Sequence, residues 1–525
     1  MPITPRCNKR LFFDRPVWNN STGTVQLHPL HYYEPTSRAE LEACVSEGIK
    51  YELHVRAVGS GHSFSDAPLT EDILVGTRGI QRVLGTYAHT KMQGLFREVE
   101  AGIKVCDLNK KLDDEGLSIR AMGGYDRQTI AGAILTGTHG SSLTFGAMSG
   151  MVRSLVLVTN DLKEKGKVRS YRIEREQGFT DPGTYPKDEP ELIQDDEVFN
   201  SVVVSFGAMG LVYSLVLDVE RTYYLEEKRM ESDWPKTKAL LRNGLLKSGD
   251  SVFVQINPYL TKHSAHETTL IMTHRRVPES EVSGIGQDLK WIRQSFMSSI
   301  RSPLLLMAGH FQFTYWWLVW RINGNWERIG GILRSAIRAQ RDRSYTHKAH
   351  RVMFQGAARF KLNAYDSEFA LPLNDPEMDY LDVLDELIKE LRKLHREHHS
   401  HLTAPIGLRF VKGSEVYLTP EHGGDVCYVD CPVLKHAYGH NNIVGRLQHF
   451  WQRKKARPHW GKRNEIFTSA DIEERYPRLK EWRAQNLRFN WNGIFSNAFT
   501  KRLVEPGRTG DAPGVEAPPK QGSPT

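Results

Sequence analysis

Arg56-Ala57-Val58-Gly59-Ser60-Gly61-His62-Ser63-Phe64-Ser65-Asp66 decides how the fold is read. His54 to Val58 is β-rich and predicts a strand, which runs into a glycine-rich turn. Glycines at 59 and 61 let successive backbone N–H groups converge on a phosphate with no Cβ in the way. The stretch is neither GxGxxG nor a Walker A loop, so dinucleotide (Rossmann) and NTPase readings lack their motif. Standing alone, such a turn is better read as a solvated loop.

Strands and helices alternate on either side of it. Ser37-Arg38-Ala39-Glu40 after Pro35 is a capping box that opens a helix reaching about Gly48. Further strands are expected at Ile73 to Thr77, Glu98 to Glu100 and Val152 to Thr159. A helix is expected from Val105 to Glu115, with Gly116 ending it. Val202 to Glu220 carries two β-rich runs broken by Phe206-Gly207-Ala208-Met209-Gly210. This predicts an α+β fold with a mixed sheet rather than a doubly wound one. The texture changes after Tyr223. Asp379 to His395 places Leu381, Leu384, Leu387, Ile388, Leu391 and Leu394 at helical spacing. Strand-like runs follow at Ile406 to Val411, Glu415 to Leu418 and Val426 to Val429. The boundaries read as 1–223, 224–455, a closing segment 456–503, and a Pro/Gly-rich tail 504–525 that cannot bury a core.

At 525 residues the chain exceeds what one core usually serves. Hydrophobic content of 39% with 25% charged residues describes an ordinary globular protein, and a net charge of +8 favours anionic ligands or surfaces. No basic block carries interleaved aromatics, so nucleic acid is not an expected partner. Five scattered cysteines fit no disulfide framework or zinc spacing and point to a reducing compartment. The N-terminus lacks the apolar run of a secretory signal. Localisation is therefore expected to be intracellular, cytoplasmic or peripherally membrane-associated. Residues 303–320, PLLLMAGHFQFTYWWLVW, read first as a buried helix or cavity wall. The sharper reading is an interfacial element, because three tryptophans suit a headgroup boundary.

A second segment, Met122 to Ser142, crowds small residues: Gly132, Ala133, Gly137 and Gly140. Close approach of backbone to a flat ligand would explain them, as would tight helix–sheet packing. Together, in this order, the two segments resemble the vanillyl-alcohol-oxidase-type (PCMH-type) FAD flavoproteins, nearest the sugar-lactone and alditol oxidase branch. Phe206-Gly207-Ala208-Met209-Gly210-Leu211-Val212, Glu368-Phe369-Ala370-Leu371-Pro372, His459-Trp460-Gly461-Lys462 and Asn492 to Asn497 extend the likeness over roughly residues 15 to 503.

The resemblance implies a two-part FAD-binding domain over 1–223 with mixed sheets, and a substrate (cap) domain built on an antiparallel sheet with helices. It implies a flavin covalently held by His62, with the stretch Arg56, Gly59, Ser60, Gly61 and Ser63 around the pyrophosphate. Gly123, Gly124, Thr129, Gly132, Thr136, His139, Gly140, Ser141, Gly210 and Leu211 are implied flavin neighbours. Lys462 and Arg409 match two cationic active-site positions, Lys462 also against the flavin. Thr129 matches a hydroxyl position beside it. The implied reaction is hydride transfer from a CH–OH group of a lactone, alditol or related alcohol to the flavin. Dioxygen then accepts the electrons and gives hydrogen peroxide. Gly123 leaves oxygen's path open, which favours an oxidase.

One departure bears on substrate. The family's Glu-x-Arg reads Gly407-Leu408-Arg409 here. Either Asp366 or Glu368 supplies the missing carboxylate, or Gly407 opens room for a larger apolar alcohol. Two other readings stay open: a membrane-associated dehydrogenase passing electrons to a quinone or cytochrome, and a flavin-binding protein without catalysis. His395 and His399 lie at i, i+4, but basic neighbours and the missing H-E-x-x-H order make a solvated helix end the expectation, with no metal site.

Overall fold

The computed structural model describes residues 16–505, apart from 22, 24, 263, 283–311, 342–343 and 356–362. Among these residues the strands form four sheets. A small parallel sheet joins His31–Tyr33, Ile73–Gly76 and Val55–Val58. A seven-stranded mixed sheet is centred on Val152–Asn160 and Leu211–Arg221. An eight-stranded antiparallel sheet begins at Tyr224–Asp233 and includes, side by side, Ser251–Ile256, Ile406–Val411, Val426–Leu434 and Ala364–Pro372. A two-stranded ribbon, Trp18–Asn19 with Gln26–Leu27, is the fourth. The α+β expectation holds.

The helix Arg38–Tyr51 begins as expected, with Ser37 Oγ accepting from Glu40 N. The reciprocal half differs, because the Glu40 carboxylate takes the Thr36 N–H and hydroxyl instead. Gly48 does not stop this helix. A Cβ there would lie 2.3 Å from Val55 Cγ2, so the glycine serves close helix–strand packing, and the chain turns at Glu52 with φ 56°. The helix Val105–Asp114 and Gly116, at φ 69°, match expectation, as does Tyr380–His398 with its apolar stripe buried.

Two expectations fail. The run before Phe206 is not a strand: helix Asp196–Val202 ends at its first valine, and Val203 and Val204 form a turn. Asp195 accepts from Val198 N, and two acidic residues in the first turn suit the helix dipole. Those local signals override the β-branched Val202 to Val204. Residues 415–418 form a turn, pinned where Trp460 Nε1 donates to Leu418 O and Ser414 Oγ accepts from Val416 N.

Residues 303–311 lie outside the described part, as do 506–525 of the expected tail. The helix Gln312–Asn323 buries Tyr315, Val319 and Ile322 but exposes Trp316, Trp317 and Trp320, the last 69% exposed. The wall-helix expectation therefore holds for one face only. Among the described residues no helix is long and apolar enough to cross a membrane.

Candidate active site

The turn after strand Val55–Val58, the segment 123–139, the loop at Phe206–Gly207 and one face of the eight-stranded sheet enclose a cavity of about 750 Å³. Ligand clefts typically span roughly 300–1,000 Å³. Gly59, Ser60, Gly61, His62 and Ser63 line it, as do Gly123, Gly124, Thr129, Gly132, Thr136, His139, Gly210 and Leu211. Arg409, Glu368 and Lys462 line the sheet side. Most of the residues that the sequence proposed for binding and for chemistry thus share one space.

The turn is backbone-built. A Cβ on Gly59 would sit 2.0 Å from Thr129 Oγ1, so another residue fits only if the Thr129 side chain, at the N-terminal end of helix Ile130–Leu135, gives way. Gly61 holds φ 71°, and its carbonyl accepts from Ser21 N at 2.7 Å. His62 is gripped at both ring nitrogens, by Ser21 Oγ at Nδ1 (2.6 Å) and by the Tyr125 hydroxyl at Nε2 (3.3 Å). Burial, with Lys104 nearby, pulls its pKa down to about 4. The imidazole is therefore neutral, with a nucleophilic nitrogen, at physiological pH.

Three sequence-proposed residues do not face the cavity. Arg56 is buried beneath the turn and donates to the carbonyls of Gly207, Phe495, Ala67 and Phe206. It braces the loops that carry the site. Gly140 is required by packing, since a Cβ would lie 2.6 Å from Met122 O. Ser141 Oγ donates to Val252 O and accepts from Phe410 N at 2.9 Å, tying the segment to the large sheet. Gly140 and Ser141 border a separate small pocket instead.

The sheet wall carries the charge. On the central strand Val426–Leu434, Asp430 stands directly between Gly407 and Glu368, and Tyr428 between Arg409 and Ala370. Successive side chains alternate faces, so Asp366, Glu368, Arg409, Tyr428 and Asp430 share one. Lys462 reaches this face from the segment beside strand Ala364–Pro372, held by His459 N to Glu368 O and Arg463 N to Asp366 O, both 3.0 Å. Its ammonium pairs with Asp366 and lies 3.8 Å from Glu368 and 4.0 Å from Asp430. Burial would lower the lysine's pKa, but Asp366, Asp430 and Glu368 outweigh it and push it above the ordinary value. Lys462 stays charged.

Glu368 is buried, which alone would raise its pKa; His139 and Lys462 prevail and hold it well below the usual carboxylate range. Asp430 goes the other way. Burial and the adjacent Asp366 lift it well above the usual range despite Lys462. His139 Nε2 lies 3.3 Å from Glu368, its Nδ1 donates to Gly140 O, and its ring stacks on Tyr428 with centroids 3.5 Å apart. His459, pulled down to about 3 by burial, accepts from Gly461 N at Nδ1. Among the described residues the trio His139, Glu368 and His459 brings donor atoms within 4.8 Å of one another. With Lys462 alongside, it reads as a charge network that a further cation would disturb. His395 and His399 lie elsewhere, against Trp326.

Arg409 packs over the Phe253 ring and donates to Gln355 Oε1 at 2.8 Å. Gln355, Tyr125, Ser21 and Asp430 were not anticipated as site residues. Only Asp430 left a trace in the sequence, as a charged residue in an otherwise apolar strand.

The residues present fit FAD. A glycine-rich turn, where a Cβ at Gly59 would meet Thr129, is braced from below by Arg56, and a neutral histidine lies at its end. Fold and cavity together define a FAD-binding protein. Residues 29–164 match the FAD binding domain family, and residues 287–503 match the D-arabinono-1,4-lactone oxidase family. These matches support the likeness to the PCMH-type FAD flavoproteins and their lactone oxidases. It is 26% identical to an L-gulono-1,4-lactone dehydrogenase of Mycobacterium tuberculosis, over 94% of this chain and all of that one. It is 24% identical to L-gulonolactone oxidase of Bos taurus, over 93% and 98%. D-arabinono-1,4-lactone oxidase of Yarrowia lipolytica is 35% identical over 30% of each chain. A cholesterol oxidase from B. sterolicum shares the fold, with TM-score 0.70, 14% identity, and 94% and 97% of the two chains covered.

Proposed function

We propose that this chain uses FAD to oxidise a CH–OH group of a small sugar lactone or related polyol. The supporting observation is that His62, Lys462 and Arg409 face one cavity from three separate parts of the chain. Bound FAD would supply the hydride acceptor, and its reoxidation by dioxygen would yield hydrogen peroxide. His62 would hold it, covalently, through the nitrogen a neutral imidazole offers. Gly59, Ser60 and Gly61 would admit its phosphates to backbone N–H groups. The charged Lys462 stabilises negative charge developing on the substrate oxygen, and Asp366, paired with it, offers a proton acceptor. Arg409, with five fixed donors, suits a carbonyl or ring oxygen. Thr129 supports the turn.

The relatives carry both dehydrogenase and oxidase names, so the electron acceptor is tested directly. The purified protein is precipitated in acid, and the pellet is inspected for flavin colour. A panel of L-gulono-1,4-lactone, D-arabinono-1,4-lactone and xylitol is then assayed for peroxide and for dye reduction. A colourless pellet removes the covalent link; dye reduction without peroxide makes the protein a dehydrogenase.

The three exposed tryptophans of helix Gln312–Asn323 favour peripheral contact with a membrane surface as a second reading. Cosedimentation with anionic vesicles should fall when Trp316, Trp317 and Trp320 are changed together to Ser. Equal pelleting of both proteins removes this reading.

A further inference from the structure

We infer that Asp430 binds a substrate hydroxyl, and that it does so in the space a side chain at position 407 would otherwise occupy. This rests on the cavity being the site of lactone or polyol oxidation.

Strand register carries the argument. Gly407 and Asp430 are direct partners across neighbouring strands, and Glu368 flanks Asp430 on the other side. Gly407 does not hold a left-handed backbone, and a Cβ there would meet Asp430 Cβ at 3.4 Å and the Phe253 ring at 3.4 Å. The glycine is therefore not demanded by conformation. It leaves no side chain on the neighbouring strand beside Asp430, which lines the cavity.

Among the described residues the Asp430 carboxyl meets only other acidic groups and Lys462, sharing a side-chain hydrogen bond with Asp366. None of their N–H or hydroxyl groups donates to its buried Oδ1. The nearest ammonium, Lys462, lies 4.0 Å away and is engaged by Asp366. Two carboxylates placed opposite each other, Glu368 and Asp430, weaken a sheet rather than support it. A buried polar atom left open at such a cost marks a place for a ligand group.

The chemistry of that group follows. Arg409 and Lys462 offer only donors and take substrate acceptor oxygens. Asp430 offers an acceptor and, when protonated, a donor, so it takes a hydroxyl. A small ring bearing a carbonyl and adjacent hydroxyls satisfies all three. An alcohol with a single hydroxyl and an apolar body leaves Asp430 unpaired, which counts against the larger apolar substrates that Gly407 admits by size.

The test moves the carboxylate across the register pair in the full-length flavin-loaded protein. Asp430→Ala and the near-isosteric Asp430→Asn are compared with Asp430→Ala combined with Gly407→Glu. The readouts are KM and kcat for L-gulono-1,4-lactone, flavin content and melting temperature. Expected are a rise in KM of about tenfold or more in Asp430→Ala, a smaller rise in Asp430→Asn, and substantial recovery of KM in the double variant. Flavin content should stay unchanged throughout. Unchanged KM in both single variants, with the parent active, overturns the inference and leaves the proposed function standing. So does a double variant no better than Asp430→Ala. A parent protein that oxidises no lactone or alditol overturns both together.

Discussion

The two walls of the cavity are built on opposite principles. On the loop side, Gly59, Ser60, Gly61 and Gly123 present backbone and small side chains, and the charge that holds them in place, Arg56, is hidden beneath. On the sheet side, Asp366, Glu368, Arg409, Asp430 and Lys462 crowd ionisable groups onto one face, and the backbone is ordinary strand. One wall suits a ligand the same in every member of a family; the other can be rewritten residue by residue. Binding and specificity are thus separable here.

That separation can be broken at several points. The largest effect is expected from Arg56→Ala, which strands four carbonyls in the interior and should cost about 3–5 kcal/mol of stability, read by urea unfolding. Lost flavin with unchanged unfolding would place Arg56 in the cofactor wall after all. Lys462→Met should retain flavin while turnover falls about a hundredfold; unchanged kinetics would remove the lysine from the chemistry. Gly59→Ala forces a Cβ onto Thr129 and should lower flavin content, at a stability cost of about 1–3 kcal/mol. A fully loaded Gly59→Ala protein would show the turn to be more yielding than its packing implies. His62→Ala should release the flavin on denaturation and slow turnover by about tenfold.

The smallest effect sharpens the contrast on the sheet side. Asp430 has a folded pKa raised above its ordinary 3.8. Its contribution to stability is therefore complete below that value and is lost as pH rises through the folded pKa. Asp430→Asn removes this loss. The variant should match the parent in acid and exceed it in stability at alkaline pH, as read by urea unfolding across pH. A gap that does not widen with pH would mean the carboxyl is ionised without penalty.

The same contrast explains what was legible beforehand. A backbone-built wall needs glycines in fixed order, so residues 59–61 and 123–132 could be read from the chain alone. Arg56, Gly140 and Ser141 were misplaced because motif membership does not tell which side of a loop a residue supports. Lys462 and Arg409 came with their segments. Asp430 and Gln355 did not, because their role depends on which strand lies beside which, and strand order is set by long-range pairing. Helix Asp196–Val202 was missed for a local reason, with three successive valines outvoting an aspartate cap.

The turn around His62 is closed from very far along the chain. Val55 N donates to Ile494 O, Arg56 to Phe495 O, and the Asn497 amide to Ala67 and Leu69. These partners are separated by more than four hundred residues, so nothing finishes the cradle during most of translation. Loading with flavin must then wait for nearly the whole polypeptide to leave the ribosome, and a nascent chain arrested before Ile494 should emerge colourless however long it is given cofactor.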